Sequence, residues 1–192
     1  VGEDAVTRSL SALAQGALQD LSGVFDRLPD DAMDQLIEAI LGARRIALYG
    51  CGREGLQLKG FCMRLFHLGR DVHMVGDMTT PPLGPGDLLI VTAGPGALPS
   101  AECFMQVAKD AGARTLLVTA QPQGRAARLA DVVTVIPAQT MADDRGGRVS
   151  VLPMGSLFET AQMIVFELVI LRLRERLGET AETMRARHTN LE

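Results

Sequence analysis

Ile46-Ala-Leu-Tyr-Gly-Cys-Gly-Arg-Glu-Gly-Leu56 is an apolar run that breaks on glycines and restarts as a helix. Gly50, Gly52 and Gly55 satisfy G-x-G-x-x-G by letter. A strand feeding a glycine turn and then a helix N-terminus is a ready anion site, because unpaired backbone N–H groups and the helix dipole converge there. Yet Glu54, a carboxylate, sits inside the turn where an anionic ligand would be received. Asp77 lies about where a dinucleotide fold keeps its ribose-binding acid, roughly twenty residues on, so a nucleotide reading stays open on these residues alone.

Outward from this turn, the chain alternates short apolar runs with helical patterns. The runs are Ile46–Tyr49, Val72–Val75, Leu88–Val91, Thr115–Val118 and Val132–Ile136. They lack clean alternation, which suits strands buried on both faces of a parallel sheet. Leu56–Leu68, Ala101–Ala111 and Gln123–Leu129 read as the intervening helices. The series predicts an α/β fold with right-handed crossovers and a ligand outside the carboxyl ends of the strands. The glycine turn and the Thr92–Pro99 loop both fall at such ends.

Ahead of the sheet segment (44–137), residues 1–43 predict helices over Ala5–Leu28 and Ala32–Ala43, with Asp30 or Asp31 as N-cap after Pro29. Ala138–Ser150 is polar and glycine-bearing and predicts an exposed loop. Residues 151–192 hold a long helix over Ser156–Leu177 and a tail. That helix is apolar almost all round, more than one core can cover, which predicts a homo-oligomer. No linker or repeat divides the chain, so one domain over 1–192 is expected.

Composition narrows the function classes. With 192 residues, 47% hydrophobic and 22% charged, the chain is long enough for a substantial core. A net charge of −4 without a basic patch argues against a nucleic-acid partner. The most apolar stretch, Met163–Leu173, is shorter than the ~20 residues that cross a bilayer, so no membrane span is expected. No basic region followed by an apolar core opens the sequence, so no signal peptide is expected. Cys51, Cys62 and Cys103 have no metal-ligand spacing and fit free thiols in a reducing, cytoplasmic setting.

Six segments in order carry a family resemblance: Gly50-Cys-Gly-Arg-Glu-Gly55, Met63-Arg-Leu-Phe-His-Leu-Gly69, Val75-Gly-Asp-Met-Thr-Thr-Pro81, Gly86-Asp-Leu-Leu-Ile90, Pro153-Met-Gly-Ser-Leu-Phe-Glu159 and Arg187-His-Thr-Asn-Leu-Glu192. Together they resemble the 6-phospho-3-hexuloisomerases, a branch of the sugar isomerase (SIS) domain proteins. The resemblance implies a three-layer αβα sandwich around a five-stranded parallel sheet, usually assembled as a tetramer. It also implies isomerisation of a sugar or sugar phosphate with neither metal nor nucleotide cofactor. Glu159 falls at the family's catalytic base, and a carboxylate in a partly apolar cleft suits proton transfer through an enediol. Residue spacing alone offers another reading, a capping box with Ser156. His188 matches the tail histidine that moves protons on sugar oxygens, docked into its own or a neighbour's site. The substrate is expected against Gly52, Arg53, Glu54, Gly55, His67, Thr79, Ala93, Gly94 and Gly96. His67 also reads as a dipole-stabilised helix C-terminal residue, and His73 as a sheet residue.

The departures from the family pattern are local. Where the family has a Ser-Gly-Ser-Gly-Glu-Thr type loop for phosphate, this chain has Ala93-Gly-Pro-Gly-Ala-Leu98. Ala93, Pro95 and Leu98 bring no hydroxyl, and Pro95 also removes an N–H. Glu54 replaces the family's serine in the first turn. Each lost charge-assisted bond is worth roughly 1.5–3 kcal/mol, so the expected outcome is weak hexulose 6-phosphate binding. Glu54 reads either as a dipole-stabilised first-turn acid or as an internal occupant of the anion site. Isomerase, non-catalytic sugar-binding protein and nucleotide-binding αβα protein are the three functions this sequence admits, in that order.

Overall fold

Leu88–Thr92 is buried at every position, and its alternate side chains feed two separate cores. Leu88 and Ile90 join one, Leu89 and Val91 the other. A strand covered on both faces needs helices above and below, which is why this run is uninterrupted by polar residues. The computed structural model describes residues 8–145 and 150–191.

The strands are β1 (Ile46–Tyr49), β2 (Val72–Met74), β3 (Leu88–Thr92), β4 (Arg114–Thr119) and β5 (Val132–Val135). They form one five-stranded, all-parallel sheet in the order β2-β1-β3-β4-β5. The helices are α1 (Leu10–Phe25), α2 (Asp34–Gly42), α3 (Gly52–His67), α4 (Pro99–Asp110), α5 (Ser156–Leu177) and α6 (Ala181–Ala186). Buried residues of α2, α3 and α5 pack on one face of the sheet. On the other face lie Ala101, Met105 and Ala108 of α4. The expected three-layer αβα sandwich is the observed one.

α3 and α5 run side by side in the same direction. Arg53 meets Ser156 near their starts, Phe61 stacks on Phe166 with ring centroids 4.3 Å apart, and Arg64 forks onto Glu167 at 3.1 Å. The parallel pairing brings both N-termini to the carboxyl edge of the sheet, where two helix dipoles add.

Several expectations are corrected. The first helix begins at Leu10, where the Ser9 hydroxyl accepts from the Ala12 N–H at 3.2 Å, and stops at Phe25; residues 5–7 lie outside the described residues. The second is capped by Met33, with no side-chain bond, and neither Asp30 nor Asp31 serves. The third begins at Gly52 rather than Leu56, so Arg53, Glu54 and Gly55 form its first turn. The Gln123–Leu129 pattern yields only a short 3-10 turn, Ala126–Arg128. Pro122 and Gly124 shorten it, since neither favours a helix interior. Part of the expected exposed loop is buried: Ala138, Gln139, Thr140 and Ser150 are covered, while 146–149 lie outside the described residues. The tail contains a helix, α6, started by a Thr180–Thr183 capping box. Among the described residues, no helix is long and apolar enough to cross a membrane.

Candidate active site

The strand order reverses between β1 and β3, so the chain leaves their carboxyl ends in opposite directions and opens a crevice there. The Gly50–Gly55 turn forms one wall and the Ala93–Leu98 loop the other. The glycines of the turn answer a packing demand. A Cβ on Gly55 would lie 2.4 Å from the Gly50 carbonyl oxygen, and one on Gly50 would lie 2.5 Å from the Thr92 hydroxyl oxygen. Gly52 opens α3 at φ +55, exposed to solvent.

Glu54 turns inward from α3 across the crevice. Both its carboxylate oxygens, at 3.1 and 3.0 Å, accept from the Gly94 N–H. Gly94 has no room for a side chain, because a Cβ there would lie 2.7 Å from the Phe158 ring. Burial pushes the Glu54 carboxyl up to about 7, against the Gly94 N–H and the Thr92 hydroxyl, which favour the charged form; the nearby Glu159 charge raises it further. A first-turn acid stabilised only by its own helix would face water. This one is spent on a neighbouring loop.

Arg53 points the other way, toward the start of α5. Its Nη1 donates to the Ser156 hydroxyl at 2.6 Å and pairs with Glu159 Oε2 at 3.0 Å. The capping-box reading of Glu159 fails for this reason. The N-cap position is Gly155, with no side-chain bond, and Ser156 serves Arg53 instead. Glu159 is largely enclosed, with 17% of its side chain accessible, while Arg53 is 56% accessible. Buried Gln162 lies one turn further along α5 and donates Nε2 to the Glu54 carbonyl at 3.3 Å. Ser156, Phe158 and Gln162 were not among the residues expected from sequence. A signal existed: Ser156, Glu159 and Gln162 recur every three residues in the first half of the helix, where Thr160 is the one other polar residue before Glu167, so they share one face.

The other expected residues divide into two places. Ala93, Gly94 and Gly96 are buried in the β3–α4 loop. Thr79 is exposed on the loop after β2, at the same edge of the sheet, and its neighbour Thr80 binds back to the Met74 carbonyl. His67 and His188 lie elsewhere. His67 ends α3, buried, and its ring stacks on exposed His188 with centroids 5.2 Å apart. Arg187 fastens the tail there by donating to the His67 carbonyl at 2.8 Å and gripping Glu179. At about 1.5 Å per residue, the length of α3 from Glu54 to His67 spans roughly 20 Å. Within one chain, therefore, the histidine pair and the Glu159 cluster are separate. His73 lies on edge strand β2 and pairs with Asp71 at 2.7 Å. No group of three His, Cys, Asp or Glu among the described residues is placed to hold a metal ion.

No protein-family model matches the chain. It is 35% identical to a 3-hexulose-6-phosphate isomerase of Bacillus subtilis, over 91% of this chain and 95% of that protein. It is 38% identical to the 3-hexulose-6-phosphate isomerase of Mycobacterium gastri, over 100% of this chain and 94% of that one. A crystal structure from Methanococcus jannaschii, for which a molecular function of 3-hexulose-6-phosphate isomerase was inferred, superposes with a TM-score of 0.80 at 27% identity, covering 93% of this chain and 98% of that one. This sheet order, crevice and sequence kinship place the chain in the 3-hexulose-6-phosphate isomerase family of SIS-fold proteins.

Proposed function

We propose that the protein is a sugar isomerase that moves a carbonyl between adjacent carbons of a hexulose or hexulose derivative, with Glu159 as the base. The observation carrying this reading is the Arg53–Ser156–Glu159 cluster at the β1–β3 crevice of a chain from this family. Glu159 takes the proton from the carbon beside the carbonyl, and that bonding pair becomes the enediol double bond as the carbonyl oxygen is protonated. Returning the proton to the former carbonyl carbon, while the neighbouring hydroxyl gives up its own proton, completes the shift with no net change in atoms or charge. Arg53 makes both internal contacts through Nη1. A guanidinium has five N–H donors, so others are available for substrate oxygens. Two parallel helix N-termini favour the negative charge that builds on oxygen.

His188 would move protons between oxygens, and its distance from Glu159 within the chain supports its acting in a neighbouring subunit's site. Exposed apolar side chains on α1, α3 and α5, including Leu18, Phe66, Leu168 and Leu171, support a homo-oligomer, either dimer or tetramer. Cys51, Cys62 and Cys103 are unbridged, which suits a reducing cytoplasm.

Solvent deuterium exchange tests the base directly. The wild type should incorporate deuterium at the carbon beside the carbonyl, and Glu159→Gln should not. A wild type that binds sugar without any exchange would make this a binding protein instead. Co-refolding Glu159→Gln with His188→Ala tests the shared site, since mixed oligomers should regain activity that neither variant has alone. Activity no greater than the sum of the two would confine each site to one chain.

A further inference from the structure

On the loop side of the crevice, the N–H groups of Ala93, Gly94, Gly96 and Leu98 are already engaged by the protein itself. In the β3–α4 loop, the Ala93 N–H donates to the Val118 carbonyl at 3.1 Å and the Gly96 N–H to the Ala93 carbonyl at 2.9 Å. The Gly94 N–H is held by the Glu54 carboxylate. Pro95 has none to give. The Leu98 N–H, at the start of α4, donates to Glu102 Oε1 at 3.2 Å, and Glu102 is also paired with Arg125. Two carboxylates of this chain thus sit where a helix N-terminus and a loop amide would receive an anion.

Of the nearby hydroxyls, Thr119 is committed in both directions and that of Thr92 faces the Glu54 carboxyl. Ser156 accepts from Arg53, and Thr119 donates to the Ala93 carbonyl at 2.7 Å while accepting from the Gln121 N–H. Arg53, the cation of the cluster, is balanced by Glu159. What the loop side offers a ligand is therefore an acceptor. A carboxylate has about four lone-pair sites, and at Glu54 the Gly94 N–H, shared between its two oxygens, and the Thr92 hydroxyl are the partners seen. Above about pH 7, where Glu54 is ionised, an acceptor-only phosphate dianion meets like charge there. A hydroxyl, which donates, fits.

We infer that Glu54 is a specificity-determining residue that excludes phosphate esters, so that the sugar end lying against the Ala93–Leu98 loop is an unphosphorylated, hydroxyl-bearing end. This assignment rests on the sugar-isomerase reading of the same crevice, but it is tested by binding alone. A failure of proton exchange would therefore leave its outcome unaffected.

The experiment is ligand-observed NMR at pH 8 with fructose 6-phosphate, inorganic phosphate and the four unphosphorylated D-2-hexuloses, on the full-length protein and two variants. The wild type should bind at least one free hexulose and hold fructose 6-phosphate no more tightly than that sugar. Glu54→Ser frees the Gly94 amide and adds a hydroxyl, and should tighten fructose 6-phosphate at least tenfold. Glu54→Gln keeps the shape and removes only the charge, so it should gain less than Glu54→Ser. If Glu54→Ser loses its fold by circular dichroism, the proposal stands or falls on Glu54→Gln, which should still gain at least twofold. Wild type preferring fructose 6-phosphate tenfold over every free hexulose would overturn the proposal. So would failure to bind any of the four free sugars, or a folded Glu54→Ser with no tenfold gain.

Discussion

The two ends of α3 face opposite demands and meet them with opposite chemistry. At its start the helix turns Glu54 inward, buries it and fastens it to the Gly94 amide, beside the Arg53–Glu159 pair. At its end the His67 ring stacks on His188, and Arg187 caps the last turn through the His67 carbonyl. Acids at the start and bases at the end follow the helix dipole. Burial separates the two ends. The start is a partly enclosed crevice in which a buried carboxyl is driven up to about 7, whereas His188 at the other end stays exposed. A helix end that orders charge inside a crevice builds a site, and one that presents its charge at the surface becomes a contact for something else.

The comparison breaks most visibly through Glu159→Gln. If the crevice end holds the base, kcat should fall by about 10²–10⁴-fold, the usual worth of a positioned general base. Thermal stability should change little, because the amide retains the shape. A loss of that size from His188→Ala, without rescue by mixing, would move the chemistry to the other end of the helix.

Next in size is the pH dependence of stability. An unfolded glutamate titrates near 4.5, whereas Glu54 keeps its proton in the folded chain up to about 7. Between these values the folded state binds more protons than the unfolded state, so stability falls as pH rises and the whole cost is present above pH 7. A shift of this size corresponds to about 3 kcal/mol. Urea denaturation at pH 5 and pH 8 should therefore show wild type losing stability with pH and Glu54→Gln losing less. Equal slopes would mean that the Glu54 carboxylate is well solvated.

Gly55→Ala probes the packing that encloses the crevice end. Its Cβ would lie 2.4 Å from the Gly50 carbonyl oxygen. Overpacking of this kind costs about 1–3 kcal/mol, and calorimetry should find a lower Tm. At the opposite end, His188→Ala removes an exposed ring and should alter monomer stability by less than about 0.5 kcal/mol. A larger loss in the assembled protein than in the dissociated chain would show that the tail is used between subunits.

The fold was legible because its signals are local. Buried parallel strands must be continuously apolar, and Ile46–Tyr49 and Ser156–Leu177 emerge with the expected limits. Strand β3 extends one residue further than expected, to Thr92, whose side chain is buried against the turn. Helix starts were less legible. Gly52 begins α3 despite a helix-propensity cost of about 1 kcal/mol, because its φ of +55 is a backbone conformation that other residues rarely adopt. Tail helix α6 was missed because its stability comes from a capping box and Arg187 contacts rather than from an apolar stripe.

For the site, the sequence by itself determined the parts: a glycine turn at a strand end, a carboxylate within it, a loop emptied of hydroxyls, and an acid at the start of a long helix. Each is written in adjacent residues, so no distant contact is needed to read it. Only the tertiary structure decided their relations. Arg53 and Ser156, like Glu54 and Gly94, are far apart along the chain and meet through the strand order and the parallel docking of α3 on α5. The same geometry sets His188 apart from Glu159, although both belong to the C-terminal segment. A rigid helix keeps its ends a fixed distance apart, and which of them faces the crevice depends on packing around the whole sheet.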